Sequence, residues 1–165
     1  MLEKIERVAQ SVVAQVFGTM FFTFLESESL EDRPREPSAL VPYIWGEIGF
    51  QGPLTGKLAL FLPLQRAQKM ASQFMGLEDE EVPESQTIDM VKELCNVVCG
   101  NLSSQLDRKA IWHLSLPSAR RVGLQEMKND KEAHGLTLRF FAEGDPVELR
   151  LDWREEPCQE EPEKP

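Results

Sequence analysis

Apolar residues recur along this chain at two different periods, and the switch between them separates helical from extended segments. Leu2, Ile5, Val8, Ala9, Val12, Val13, Val16, Phe17 and Met20 follow the i, i+3, i+4 spacing of a helix with one buried face, predicting a helix within residues 1–25. Gly18 marks its frayed end or a kink, and the uniformly apolar Met20–Phe24 is expected to be buried. Residues 26–42 mix acids with three prolines and predict an exposed loop. Aromatic and branched residues over 43–50 and 55–62, separated by Gln51-Gly52-Pro53-Leu54, predict a β-hairpin with a four-residue loop. Leu64, Ala67, Ala71, Phe74 and Met75 then share one face of a short helix over Leu64–Met75, which Gly76 closes in the left-handed conformation.

The strongest pattern lies over Gln86–Lys109. Ile88, Val91, Leu94, Cys95, Val98, Leu102 and Leu106 fall on one side of a helix at about 100° per residue. Asp89, Glu93, Asn96 and Gly100, spaced four, three and four apart, fall in line on the opposite side. Ser85 or Thr87 is a candidate N-cap, and Asp89 also reads as an acid placed near the positive end of the helix. A polar stripe opposite an apolar one is usually a solvated face. Asn and Gly argue otherwise here, because glycine costs about 1 kcal/mol relative to alanine inside a helix and asparagine is a mediocre helix former.

Beyond this helix, Ala110–Leu116 reads as a strand broken by Pro117, followed by Arg120–Glu126 and a turn over Met127–His134. Strict alternation in Leu136–Phe141 and Val147–Trp153, with a turn at Glu143–Pro146 between them, predicts two half-buried strands. Together the segments predict an α+β fold, an antiparallel β-sheet with helices packed on one face. A single domain over 1–153 and an acidic disordered tail over 154–165 are expected.

The series Asp89-Met-Val-Lys-Glu93-Leu-Cys-Asn96, with Gly100-Asn101 after it and Pro117 about twenty residues on, resembles the CheC/CheX/FliY phosphatases of bacterial chemotaxis. The stretch Gly52–Leu60 is similar to that family's glycine-punctuated strand. The resemblance implies a CheX-like fold and hydrolysis of the aspartyl phosphate of a CheY-like receiver domain. It implies Glu93 and Asn96 as catalytic residues, with Asn96 orienting the attacking water and Glu93 docking the receiver's lysine. Asp89 and Gly100 would contact the partner. No cofactor of the protein's own is implied, Mg²⁺ being supplied by the receiver. Family relatives pair as homodimers through their sheets, so a homodimer is a further expectation. Glu126-Met-Lys-Asn129 repeats the spacing, but Val122 and Ala133 replace the acid and the glycine, and the segment reads as a turn. The N-terminal helix carries Glu3, Arg7 and Gln10 at the equivalent positions, which is similar to the single-site CheX branch. Two other readings remain: a non-catalytic receiver-binding or motor-switch adaptor using the same face, and a dimerising structural domain with an incidental polar stripe.

Charge changes the picture little. The net charge is −10, but residues 26–36, 77–84 and 154–165 carry 15 of the 28 acids and only 4 of the 18 bases. The remainder is close to neutral and shows no basic cluster of the kind nucleic acid requires, so no nucleic-acid partner is expected. No apolar run approaches bilayer length and no signal peptide is visible, which predicts a cytoplasmic protein without membrane contact. Cys95, Cys99 and Cys158 form no disulfide framework, and with only His113 and His134 a zinc site is not expected.

Overall fold

The computed structural model describes residues 1–27, 40–77, 82–130 and 135–156. In chain order the elements are α1 (Leu2–Phe21), β1 (Leu25–Ser27), β2 (Tyr43–Gln51), β3 (Leu54–Pro63), α2 (Leu64–Phe74), α3 (Glu84–Leu106), β4 (His113–Leu114), β5 (Ser118–Val122), α4 (Leu124–Asn129), β6 (Leu136–Ala142) and β7 (Asp145–Glu155). The α+β class predicted from the two periods is therefore found.

The sheet has seven strands in the order β1-β6-β7-β3-β2, and the outer edge of β2 is shared by β4 at Phe50–Gln51 and β5 at Tyr43–Glu47. Every pairing is antiparallel. Because side chains alternate along a strand, Ile44, Ile48, Leu58, Leu60, Leu138, Phe140, Leu149 and Leu151 point to one face, where α1, α2 and α3 close the main core over them. Tyr43, Ala59 and Phe61 point to the other face and are covered by Val122 and by Met127 of α4. The helices thus occupy one face with the exception of the six-residue α4.

The central strand β3 is buried from Leu58 to Pro63. Its second face is shielded partly by cations laid on rings: Arg150 sits 4.3 Å from the centroid of Phe61, and Arg120 sits 4.8 Å from that of Trp45. Arg66, almost wholly buried at the start of α2, is held by Asp145 at 2.8 Å and Glu143 at 3.3 Å, tying that helix to the β6–β7 turn. Glu143 and Gly144 both take positive φ there, making this the predicted turn.

Several expectations are corrected. The run after α1 is not buried throughout: Phe22 caps the helix in the left-handed conformation and the chain leaves it extended, so Phe21 and Thr23 point inward while Phe22 and Phe24 are exposed. Part of the predicted loop after residue 25 is an edge strand, since Leu25–Ser27 pairs with Phe140–Ala142. The strand over Ala110–Leu116 shrinks to His113–Leu114, and of the Arg120–Glu126 segment only the part up to Val122 is extended, in a strand that begins at Ser118. Glu126 and Asn129 lie on α4 rather than in a turn, with Glu126 paired to Arg120 and Asn129 accepting from Gln125. The central helix starts at Glu84 and stops at Leu106, because Asp107 leaves helical geometry and its Oδ1 accepts the N–H groups of Lys109 and Ala110. Neither Ser85 nor Thr87 caps it; Pro83 precedes the first turn, and Thr87 donates back to the Pro83 carbonyl. Gly76 does close α2 with φ +69°. The tail beyond Glu156 and Cys158 within it lie outside the described residues; Arg154 and Glu155 belong to β7.

Candidate functional site

α3 crosses the middle of the molecule, packed on α1, α2, β2 and β5. Its apolar stripe is wider than the sequence suggests. Met90, Cys99, Thr87 and Ser103 join Val91, Leu94, Cys95, Val98 and Leu102 in the interior, while Ile88 and Leu106 are half-buried. A helix wrapped on three sides keeps only a narrow strip for solvent. On that strip stand Asp89, Glu93 and Asn96, all exposed, with Gly100 half-buried at its end.

Two contacts fix the depth at which α3 lies. Beneath it, Gly46 of β2 faces Cys95 and Val91 so closely that a Cβ at position 46 would stand 2.5 Å from Cys95 Sγ and 2.7 Å from Val91 Cγ1. At the far end, Lys4 of α1 donates to the Leu106 carbonyl at 3.1 Å, supplying the positive charge that the last turn of α3 lacks. The thiols of Cys95 and Cys99 are inert packing. Burial pushes Cys95 up to about 12 and Cys99 up to about 11, so both stay protonated at neutral pH.

Among the described residues neither Glu93 nor Asn96 has a side-chain hydrogen bond or ion pair. Asp89 makes an i, i+3 pair with Lys92 at 3.7 Å, at an exposed position where such a pair contributes little. Asn101, adjacent to the strip, turns its amide onto the Val97 carbonyl at 2.8 Å and stays with its own helix.

The segment carrying β4 and β5 runs antiparallel beside α3. Leu114 reaches Gly100, and Arg121 pairs with Glu84 at 3.2 Å. Seven extended residues at about 3.3 Å each cover the same distance as sixteen helical residues at about 1.5 Å each. That matching of lengths lays the β4–β5 segment alongside α3 between these two contacts. Pro117 lies in this segment, between the two contacts that hold it beside the strip. Sequence reasoning missed what flanks it. Ile111 is 77% exposed and Leu116 93% exposed, and a cavity of about 250 Å³ opens between Gly100 and the Asp107–Leu114 segment. Large aliphatic side chains in a predicted strand carry no sign of which face they will present, so no sequence signal marked them.

Chemically the strip offers an anionic carboxylate and a neutral amide that both donates and accepts, one turn apart and free to engage another molecule. This exposed pair on an otherwise buried helix is the candidate site of an α+β domain. The chain belongs to the chemotaxis phosphatase CheX family, whose pattern matches residues 44–141. Its fold is that of the chemotaxis protein CheX from Vibrio vulnificus, at 14% identity over 92% of this chain and 97% of the other with a TM-score of 0.68. CheX of Borrelia burgdorferi, solved as a CheX-CheY-BeF3-Mg complex, is 18% identical over 94% of this chain and 100% of that one, with a TM-score of 0.68. A CheC-like superfamily protein from Shewanella sp. PV-4 is 17% identical over 93% and 99%, with a TM-score of 0.69. No curated protein matches the chain in sequence. Among the described residues no helix is long and apolar enough to cross a membrane.

Proposed function

We propose that this protein hydrolyses the aspartyl phosphate of a CheY-like receiver domain, with α3 inserted into the receiver's phosphorylation site. The observation that carries this reading is the pairing of Glu93 and Asn96, one turn apart, exposed and unengaged on a helix whose other sides are buried. Family membership supports the reaction class, and the solved CheX-CheY complex of a structurally similar protein supports the class of partner.

An acyl phosphate is already activated, so accelerating its hydrolysis requires chiefly an in-line water and neutralised phosphoryl oxygens. The receiver brings the phosphorylated aspartate together with Mg²⁺ and a lysine. Asn96 holds the water: its carbonyl oxygen accepts a hydrogen bond from the water, and the water oxygen faces phosphorus. The P–O bond to the aspartyl carboxylate breaks as the new P–O bond forms, leaving inorganic phosphate, a free aspartate and a released proton. Glu93 pairs with the receiver's lysine and sets the register, since charge-assisted hydrogen bonds are directional. Gly100 leaves the end of the strip low, so the partner's backbone approaches closely.

The test is phosphate release from a phosphorylated receiver with and without the protein. Loss of accelerated release in Asn96→Ala, with the fold intact by circular dichroism, supports the reading. Equal rates for Asn96→Ala and the parent protein would remove Asn96 from the mechanism, and stoichiometric binding without phosphate release would assign an adaptor instead.

A further inference from the structure

Gly100 has no reason inside its own chain to lack a side chain. A Cβ there would meet only Leu114 Cδ1, at 3.9 Å, an ordinary van der Waals distance. Alanine would therefore fit and would favour the helix. Gly46 is the opposite case, because there the chain itself forbids a Cβ. The missing methylene at position 100 opens onto the cavity of about 250 Å³.

The cavity is firmly built. Trp112 donates its indole N–H to the Asp107 carbonyl at 3.1 Å and packs edge-on against Phe50. Its ring also lies within 2.7 Å of where a Cβ on Gly52 would stand, so it fits only against a glycine. Leu114 is fixed by β4 pairing to Phe50, and Ser115 exchanges hydrogen bonds with Gly49. Asp107 spends Oδ1 on two backbone N–H groups and its carbonyl on Trp112, so those polar atoms are already engaged. The apolar wall left to receive a guest is Trp112, Leu114 and Ala110, while Ser103, Ser104, Arg108 and the second carboxylate oxygen of Asp107 supply the polar part of the lining.

Size and position identify the guest. The volume lies below the roughly 300–1,000 Å³ of small-molecule sites and suits one large side chain. Gly100 and Ser104 lie about 6 and 12 Å along α3 from Asn96. A standard interface covers about 800 Å² per partner, a disc of about 16 Å radius. An interface of that size centred on Asn96 covers the cavity as well. The same segment exposes Ile111 and Leu116 almost fully, and such aliphatic side chains gain only when a partner removes them from water.

We infer that the cavity beside Gly100 is the specificity pocket of the docking face: it receives one apolar side chain of the receiver domain, and Ile111 and Leu116 form the apolar rim around it. The inference rests on the proposed function, and it separates apolar recognition (residues 100–116) from the positioning of water by Asn96.

The experiment uses CheY-like receiver domains from the same genome, loaded with beryllofluoride and Mg²⁺ for calorimetric binding and phosphorylated for phosphate release. Ser104→Leu, which plugs the cavity, and the double variant Ile111→Ser/Leu116→Ser should each raise Kd and KM at least tenfold while kcat stays within twofold. Asn96→Ala should show the converse, a lowered kcat at a retained Kd. The double variant alters only exposed positions, so it carries the test even if Ser104→Leu misfolds. Kd values within twofold of the parent for the double variant would overturn the pocket and rim while leaving the phosphatase reading intact. Failure of the parent protein to bind any receiver would overturn the proposed function, and this inference with it.

Discussion

Gly46 on β2 lies directly under Cys95 of α3, with 2.5 Å between the position of its absent Cβ and Cys95 Sγ. The strip of side chains on the outer surface of α3 therefore has its height set from below, by a backbone that presents no side chain. Gly46→Ala forces the helix outward or the thiol aside, and overpacking of this kind costs about 1–3 kcal/mol. Thermal or urea denaturation should show a loss of that size. Because the two residues touch, Gly46→Ala combined with Cys95→Ala should cost less than the sum of the single changes.

Gly100→Ala should act in the opposite direction on stability. With room for the methyl group, removing a helix-interior glycine stabilises by about 1 kcal/mol, worth roughly 2–4 °C in Tm for a chain of this size. The same methyl group narrows the approach to the strip, so binding of an activated receiver should weaken several-fold. A more stable variant with unchanged receiver affinity would show that the glycine has no role at an interface.

Asn96→Ala and Glu93→Ala should separate kinetically. Removing a group that positions the nucleophile commonly costs about 10²–10³-fold in rate, so Asn96→Ala should lower kcat by that factor with little change in KM. Loss of a charge-assisted hydrogen bond of about 1.5–3 kcal/mol should make Glu93→Ala raise KM roughly 10–100-fold. Raising ionic strength should reduce the difference between Glu93→Ala and the parent protein, since surface charge pairs are screened. Both side chains are exposed, so neither substitution should move Tm appreciably.

The buried thiols predict a pH dependence. Cys95 and Cys99 are raised from 9.0 to about 12 and about 11 by burial, so above about pH 9 the unfolded chain loses these protons while the folded chain keeps them. The folded state then binds more protons than the unfolded one, and stability falls as pH rises. Its contribution is fully present below about pH 9 and declines by about 1.4 kcal/mol per pH unit for each thiol until the folded value is reached. Denaturation midpoints measured from pH 7 to 10 should be flat to about 9 and then fall, with Cys95→Ala/Cys99→Ala reducing the slope. At pH 8, iodoacetamide should modify Cys95 and Cys99 only after denaturation.

The candidate site was legible because α3 repeats its pattern over 23 residues. Over six turns, apolar and polar positions separate clearly enough to put Asp89, Glu93 and Asn96 on the solvent side, where they are found. The alternation in β6 was legible in the same way, whereas β7, expected to be half-buried, is buried on both faces over Val147–Leu151, because Glu148 and Arg150 pair with each other on its second face. α4 was not, because its six residues make less than two turns and no period can establish itself. Cys99, outside the apolar stripe that the spacing predicts, is fully buried because α1 and α2 pack on the flanks of α3, and one helix's own pattern carries no record of its neighbours.

By itself the sequence determined local conformation and the side of each element that faces inward, because helix and strand periods are properties of a short stretch of backbone and its own side chains. Tertiary packing alone decided the strand order, the seat of α3 on Gly46, the laying of the β4–β5 segment along α3 and the cavity beside Gly100. Each of these depends on residues far apart in the chain meeting at van der Waals distance. A residue's type reports whether it prefers water, but only the assembled neighbours decide that Leu114 is half-buried and Leu116 exposed.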